Sequence, residues 1–196
     1  HGALADGDDI LYVLAHSLHR RGLLRGPVVG TLMSNYGLEL ALADIDVALI
    51  RANVGDRYVM QQLKQHKGML GGETSGHILC LDRATTGDGI VSALAVLEAL
   101  GEAGQDLAGA RAGLKKLPQV MLNVRANGAR EALDSAEVRQ AQTEVEDVLR
   151  GRGRVVLRAS GTEPLVRVTI EGADADEVQS LAEKLAGIVK SVAERS

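Results

Sequence analysis

Three short apolar runs constrain this chain most: residues 27–32 (PVVGTL), 47–51 (VALIR) and 77–81 (HILCL), each separated from the next by a segment of helical periodicity. Runs this short, bounded by glycine and polar residues, suit strands covered on both faces, and a helix between successive strands permits parallel pairing. Upstream, residues 8–23 place Ile10, Leu11, Leu14, Ala15 and Leu18 on one helical face, with Asp8 or Asp9 as N-cap and Gly22 and Gly26 as the stop. Ser34 caps a helix to about residue 44, residues 57–67 form another, and Asp88 caps an apolar helix to about residue 100. A short helix over residues 107–115 follows. The expectation is an α/β layer fold with a largely parallel sheet.

Past residue 117 the pattern changes. Residues 118–125 (PQVMLNVR) alternate apolar and polar side chains, as a half-exposed strand does. A polar stretch over 127–130 leads to a helix over 135–149, then strands over 154–158 and 165–171 joined by the turn ASGTEP. A last helix begins near Asp174, with Glu177 three residues on as in a capping box. The reading is therefore two domains, 1–117 and 118–196, the second a smaller α+β unit. With 45% hydrophobic residues in 196, the chain has material for both cores.

Composition excludes several classes of function. Three Tyr, no Phe and no Trp leave no aromatic platform for stacking bases, and a formal charge of −4 gives no field for a phosphate backbone. No nucleic-acid partner is expected. Cys80 is alone, so an intrachain disulfide is excluded, and the five histidines have no zinc spacing. No apolar run approaches the ~20 residues that span a bilayer, and no signal peptide is visible, so no membrane association and a cytoplasmic location are expected. The first residue is His rather than Met, and the chain reads as a piece of something longer.

Two loops have the residue types for chemistry. Residues 71–77 (GGETSGH) combine three glycines with Glu73, whose carboxylate can accept bonds from vicinal hydroxyls, Ser75, and His77, which can exchange protons near neutral pH. That suits a sugar; a glycine-rich turn with self-satisfied polar groups is an equally good account. Residues 158–164 (RASGTEP), with Arg167 beyond, offer two guanidinium groups, the hydroxyls of Ser160 and Thr162, and free N–H groups around Gly161. These could surround a phosphate, although arginines flanking a plain turn are commonplace. Residues 54–57 (VGDR) and 85–89 (TTGDG) open helices, where Asp56 and Asp88 serve as caps. The 6–9 segment (DGDD) lacks the later ligands of a calcium loop and is read as a cap. No metal site and no Ser-His-Asp or Cys-His set is expected.

The segments VGDRYV (54–59), GGETSGH (71–77), TTGDGI (85–90) and RASGTEPLVRV (158–168) occur in an order and spacing that resembles the α-D-phosphohexomutase superfamily, over essentially the whole chain. The pairing of VGDRYV with TTGDGI resembles the phosphoglucosamine branch more than the phosphomannomutase/phosphoglucomutase branch, which stands as the alternative. The resemblance implies the third and fourth of four domains: a three-layer α/β domain, then a smaller α+β domain similar to the TATA-box-binding-protein fold. It implies that Glu73, Ser75 and His77 hold the sugar, with His77 a candidate acid/base. Arg158, Ser160, Gly161 and Thr162 would clamp the non-transferring phosphate, with Arg167 in support. Thr74 and Ala159 depart from commoner family loops.

Resemblance to the phosphoglucosamine branch implies that the whole enzyme interconverts glucosamine 6-phosphate and glucosamine 1-phosphate through a phosphoserine and a hexose 1,6-bisphosphate, with Mg²⁺. The serine and the Mg²⁺ loop belong to domains one and two, so the expected partners are a small phosphosugar and the N-terminal domains of the same polypeptide. A homodimer stays open for the full-length enzyme. This chain alone is expected to be inactive. The rival reading is a stand-alone phosphosugar-binding or assembly module.

Overall fold

The computed structural model describes residues 2–195. They form two compact units, one ending at Lys116 and one beginning at Leu117. In chain order the first unit comprises α1 (Gly7–Arg20), β1 (Val28–Thr31), α2 (Tyr36–Ala43), β2 (Leu49–Ala52), α3 (Asp56–His66), β3 (Leu70–Gly72), β4 (Ile78–Cys80), α4 (Gly89–Ala103) and α5 (Leu107–Ala110). Its sheet has the order β2-β1-β3-β4. β1 pairs in parallel with both β2 and β3, and β4 runs antiparallel at the edge.

Successive side chains of a strand point to opposite faces, and both faces are covered. Val28, Leu70, Ile78 and Cys80 face a core shared with α1, α2 and α4. Val29, Ala52 and Leu79 face the other way, onto Val59 and Leu63 of α3. The result is three layers: three helices, sheet, one helix. This is why the strands are apolar runs rather than alternating ones. Among the described residues no helix is long and apolar enough to cross a membrane.

The structure differs from the sequence expectation in local ways. Residues 70–72 form β3, so the glycine-rich segment is one arm of a hairpin with β4. Two consecutive glycines in a three-residue strand carry no strand signal; the ladder partners supply it. The N-cap of α1 is Asp6, whose side chain accepts from the N–H groups of Asp8 and Asp9 while Asp9 reaches back to the Asp6 N–H. Asn35 caps α2, because the Ser34 hydroxyl is turned back to the Thr31 N–H at 3.1 Å. Asp88 does cap α4.

With Asp6 as the cap, Asp8 and Asp9 lie inside the first turn and are buried. Asp9 meets Lys116 at 2.5 Å and Arg111 at 3.2 Å, and Lys116 also meets Asp6 at 2.6 Å. Burial pushes the Asp9 carboxyl up, but the Lys116 hydrogen bond, the Asp6 N–H and the two positive charges outweigh it and hold it below the usual range. The chain between α5 and Lys116 is thereby tied to the start of α1.

The second unit comprises β5 (Gln119–Arg125), α6 (Ala129–Asp134), α7 (Ala136–Leu149), β6 (Gly153–Ala159), β7 (Leu165–Gly172) and α8 (Ala175–Arg195). The antiparallel sheet has the order β5-β7-β6. Val124, Val155, Val166, Val168 and Ile170 pack under α6, α7 and α8. The α6 turn occupies part of the stretch expected to be merely polar; Ala132 is its buried anchor. Asp174 accepts from the N–H groups of Asp176 and Glu177, while the Glu177 carboxylate pairs with Arg152 instead of closing a capping box. On the opposite sheet face, Glu171 is buried and sits directly across the ladder from Arg154, whose Nε lies 2.6 Å from its Oε2.

Two stability predictions follow from these ion pairs. Removing one partner of a buried pair leaves an uncompensated charge, so Lys116→Met should destabilise the first unit by about 2 kcal/mol near pH 7, Arg111 remaining as partial compensation. A carboxyl held low in the folded state stabilises above its unfolded pKa of about 4 and ceases to as pH falls through the folded value, so the Lys116→Met deficit should shrink in acid. Urea melts followed at amides of α1, at pH 7 and pH 3, check both. Arg154→Leu should destabilise the second unit by about 3 kcal/mol, and adding Glu171→Leu should recover much of the loss, because the pair together costs desolvation; amides of β7 report that transition.

Candidate functional site

Parallel strands β1, β2 and β3 end on the same side of the sheet, and the loops there gather the polar residues of the first unit. From β1 the chain passes to β2 on one side, then crosses to β3 on the other, so strand order reverses about β1. The carboxyl end of such a switch point is where open α/β sheets offer a crevice.

The loop from β3 to β4 is closed by the Glu73 N–H on the His77 carbonyl at 3.0 Å and the Gly76 N–H on the Glu73 carbonyl at 2.9 Å. Glu73 is half-buried, and its Oε1 accepts the Gly55 N–H at 2.9 Å. Gly55, at the start of α3, holds φ at +123°, a conformation that L side chains rarely adopt, and this conformation presents its N–H to Glu73. One carboxylate oxygen is thus committed to the scaffold, while Oε2 has no protein partner among the described residues. Ser75 is exposed at the tip.

His77 lies between the two weaker motifs. Its Nε2 stands 3.6 Å from Asp56 Oδ2, beyond hydrogen-bond length, and is buried without a partner. Its ring packs on Gly87, where a Cβ would come within 2.2 Å of Nε2. The VGDR and TTGDG segments therefore converge on the 73–77 loop, which neither spacing nor composition indicated. Beside them, Arg57 stacks on the Tyr58 ring at 4.7 Å and donates to its hydroxyl at 2.8 Å.

The platform beneath the loop is the first turn of α1. The Gly7 N–H donates to the Thr74 carbonyl at 2.9 Å, and a Cβ on Gly7 would fall 1.9 Å from the Glu73 carbonyl oxygen. Asp8, fully buried, accepts the Asn35 N–H at 2.8 Å and lies 3.3 Å from the Thr74 hydroxyl. Burial pushes its carboxyl above the ordinary range, against the Asn35 hydrogen bond. The sequence suggested only a helix cap at Asp8; the capping-box spacing of Asp6 and Asp9 is the signal that frees Asp8 for another role.

In the second unit, β6 and β7 are joined by a turn closed by the Ser160 N–H on the Leu165 carbonyl at 2.9 Å. The Ser160 hydroxyl accepts the Glu163 N–H at 3.3 Å and faces the Thr162 N–H at 3.5 Å, which leaves its own proton to donate outward. Gly161 and Thr162 are exposed. Arg158 and Arg167 are direct cross-strand partners, and Asn123 of β5 flanks Arg167 on its other side. Like charges directly opposite in a ladder repel. Arg167 Nε is buried without a hydrogen-bond partner, and its nearest carboxylate, Glu163, is 3.8 Å away. Among the described residues Arg158 has no carboxylate within ion-pair distance. Two adjacent guanidinium groups, with only the exposed Glu163 carboxylate near one of them, beside outward-facing donors, are an arrangement that suits an anion. Asn123 was missed from the sequence, since strand alternation gives its face but not its neighbour.

Among the described residues no group of three or more His, Cys, Asp or Glu stands together to hold a metal ion.

Comparison with known proteins agrees with this architecture. Residues 6–117 match the phosphoglucomutase/phosphomannomutase alpha/beta/alpha domain III, and residues 121–188 match the C-terminal domain of the same family. The chain is 52% identical over 191 residues, 97% of its length, to phosphoglucosamine mutase of Pseudomonas fluorescens, and 56% identical over 193 residues, 98% of its length, to that of Xylella fastidiosa. It spans 43% of the length of each relative. Among solved structures, N-acetylphosphoglucosamine mutase of Aspergillus fumigatus superposes with a TM-score of 0.77 at 22% identity, covering 97% of this chain and 44% of that one. Another structure of that enzyme, in complex with GlcNAc-6P and magnesium, gives 0.74 at 21% identity, covering 96% and 47%. These two likenesses establish the fold. Domain matches over more than half of its length show that the chain belongs to the phosphoglucomutase/phosphomannomutase family, of which it carries domain III and the C-terminal domain.

Proposed function

We propose that this chain is the substrate-recognition part of a phosphoglucosamine mutase, each of its units supplying one recognition loop. The observation that carries the reading is the pair of cross-strand arginines, Arg158 and Arg167: among the described residues Arg158 has no carboxylate within ion-pair distance, and Arg167, which reaches only Glu163 at 3.8 Å, keeps a buried Nε without a hydrogen-bond partner. In the second unit, Arg158, Ser160, Gly161 and Thr162 grip a phosphate that is not being transferred, and Arg167 supports them. In the first unit, Glu73 Oε2, Ser75 and His77 take the sugar. A carboxylate held by one oxygen accepts a hydroxyl with its orientation already fixed, so little entropy is lost on binding. His77 is the candidate acid/base.

The amino-sugar reading rests on relatives above 50% identity that are named phosphoglucosamine mutase. In the complete enzyme, glucosamine 6-phosphate and glucosamine 1-phosphate would interconvert through a phosphoserine and a 1,6-bisphosphate. The serine and the Mg²⁺ would come from parts of the enzyme outside these two domains. A remote phosphate clamp and a hydroxyl-gripping loop would then serve both orientations of the bisphosphate by positioning alone. A cytoplasmic setting fits this substrate. Alone, the chain binds phosphosugar and turns nothing over.

An NMR titration tests this. Glucosamine 6-phosphate should shift amides at both 71–77 and 158–167, inorganic phosphate only the second set, and mannose 6-phosphate both but more weakly. Arg158→Ala should weaken phosphosugar binding by about 1.5–3 kcal/mol, as for a hydrogen bond to a charged group, and Glu73→Gln should erase the preference among sugars. Silence at both loops, or equal shifts for all three ligands, would remove the sugar assignment.

A further inference from the structure

Within the 73–77 loop, the fixed point is Thr74. Its hydroxyl lies 3.3 Å from both oxygens of Asp8 and from the Met33 carbonyl, and its own carbonyl accepts the Gly7 N–H at 2.9 Å. The residue between Glu73 and Ser75 is therefore held through side chain and backbone at once, both times by the first turn of α1. Asp8 also accepts the Asn35 N–H at 2.8 Å, so one carboxylate joins the loop after β1 to the loop after β3. It is fully buried, and among the described residues no basic group lies within ion-pair distance of it. A buried carboxylate without a salt bridge is costly to keep. The helix start does not need it either, because Asp6 and Asp9 already form the capping box.

We propose that Asp8, acting through Thr74, is a positioning residue that sets Glu73 and Ser75 for sugar recognition. The proposal rests on the reading of those two residues as sugar ligands. Glu73 is braced on its far side by the Gly55 N–H, so the Asp8–Thr74 contact is the second of two supports that fix it. Side chains that recognise neutral hydroxyls depend on such supports, because a misplacement of about 1 Å in a hydrogen-bonding group forfeits most of the bond. The charge-based clamp of the second unit gains nothing from Asp8.

Thr74→Val, Thr74→Ser and Asp8→Asn in the same chain test this with two readouts. Without ligand, amide hydrogen exchange at Gly7 and Gly76 should rise about tenfold in Thr74→Val, and less in Asp8→Asn, as one net hydrogen bond to a charged group is lost. By titration, Thr74→Val should weaken glucosamine 6-phosphate binding about fivefold while leaving inorganic phosphate unaffected, with the amides of β1 and α3 unshifted. Thr74→Ser, which keeps the hydroxyl, should restore both. Unchanged exchange in Thr74→Val, an equal loss for the two ligands, or the same defect in Thr74→Ser overturns the proposal. If the unsubstituted chain binds no glucosamine 6-phosphate, the functional reading fails. Exchange alone then decides whether Asp8 sets the loop: raised in both Thr74→Val and Asp8→Asn and normal in Thr74→Ser upholds that role, and normal exchange in Asp8→Asn, where the Met33 carbonyl would hold the hydroxyl, ends it.

Discussion

Across 107 residues of chain, the Lys116 ammonium meets the carboxylate of Asp9, which is almost wholly removed from water, and the same ammonium reaches Asp6 in the cap of the same helix. Arg111 adds a second positive charge. The first turn of α1 is consequently where the beginning and the end of the first unit are joined. It is also where the loop between β3 and β4 is seated, through Gly7 and Asp8. Helix N-termini favour nearby carboxylates because their N–H groups are unsatisfied. Here three acids stand within four residues: Asp6 and Asp9 close the capping box and share Lys116, with Arg111 on Asp9, while Asp8 faces the neighbouring loops.

How much of this was legible depends on the range of the interaction. The α/β alternation was visible because burial on both faces leaves a local record, as in VVGT and HILC; so was the cap at Asp88, which contacts amides two and three residues away. β3 was hidden because Leu70-Gly71-Gly72 has no propensity of its own and is a strand only through Val29 and the β4 register. The roles of the three acids at the start of α1 were hidden for the same reason. The spacing of Asp6 and Asp9 allows a capping box, but what Asp8 and Asp9 do besides is hidden until it is known that Asn35, Thr74 and Lys116 lie beside them. Residue types alone leave Glu73 and Arg158 balanced between ligand contacts and plain turns, and only likeness to a family tips that balance. The Gly55 N–H that holds Glu73 and the cross-strand pairing of Arg158 with Arg167 needed the fold.

The second unit solves a different problem. Its helices cover one sheet face, and the other carries Arg154, Arg158, Arg167, Asn123 and Glu171. Where positive charge is to be silent, the ladder sets a carboxylate directly opposite, as Glu171 stands to Arg154. Four residues further along each strand, and on the same face, the same ladder sets arginine against arginine. On the proposed reading, a sheet that neutralises one arginine across the ladder and sets two others against each other, with only the exposed Glu163 near them, keeps that repulsion for an external anion to relieve.

On the proposed reading, the two loops differ in kind as well as in ligand. A phosphate is found by charge, which acts over several ångströms and tolerates an exposed turn; Gly161 and Thr162 stand exposed in a turn held by the Ser160 hydroxyl and the Ser160 N–H. Sugar hydroxyls carry no net charge, and one epimer differs from another only in where a hydroxyl points. Discriminating them requires an acceptor whose position is fixed before the ligand arrives. That requirement accounts for the arrangement around Glu73: a glycine at positive φ aiming an N–H at one oxygen, and a neighbouring threonine moored to a buried carboxylate. Rigid, buried support belongs where recognition is by geometry, and exposed, uncompensated charge where recognition is by field.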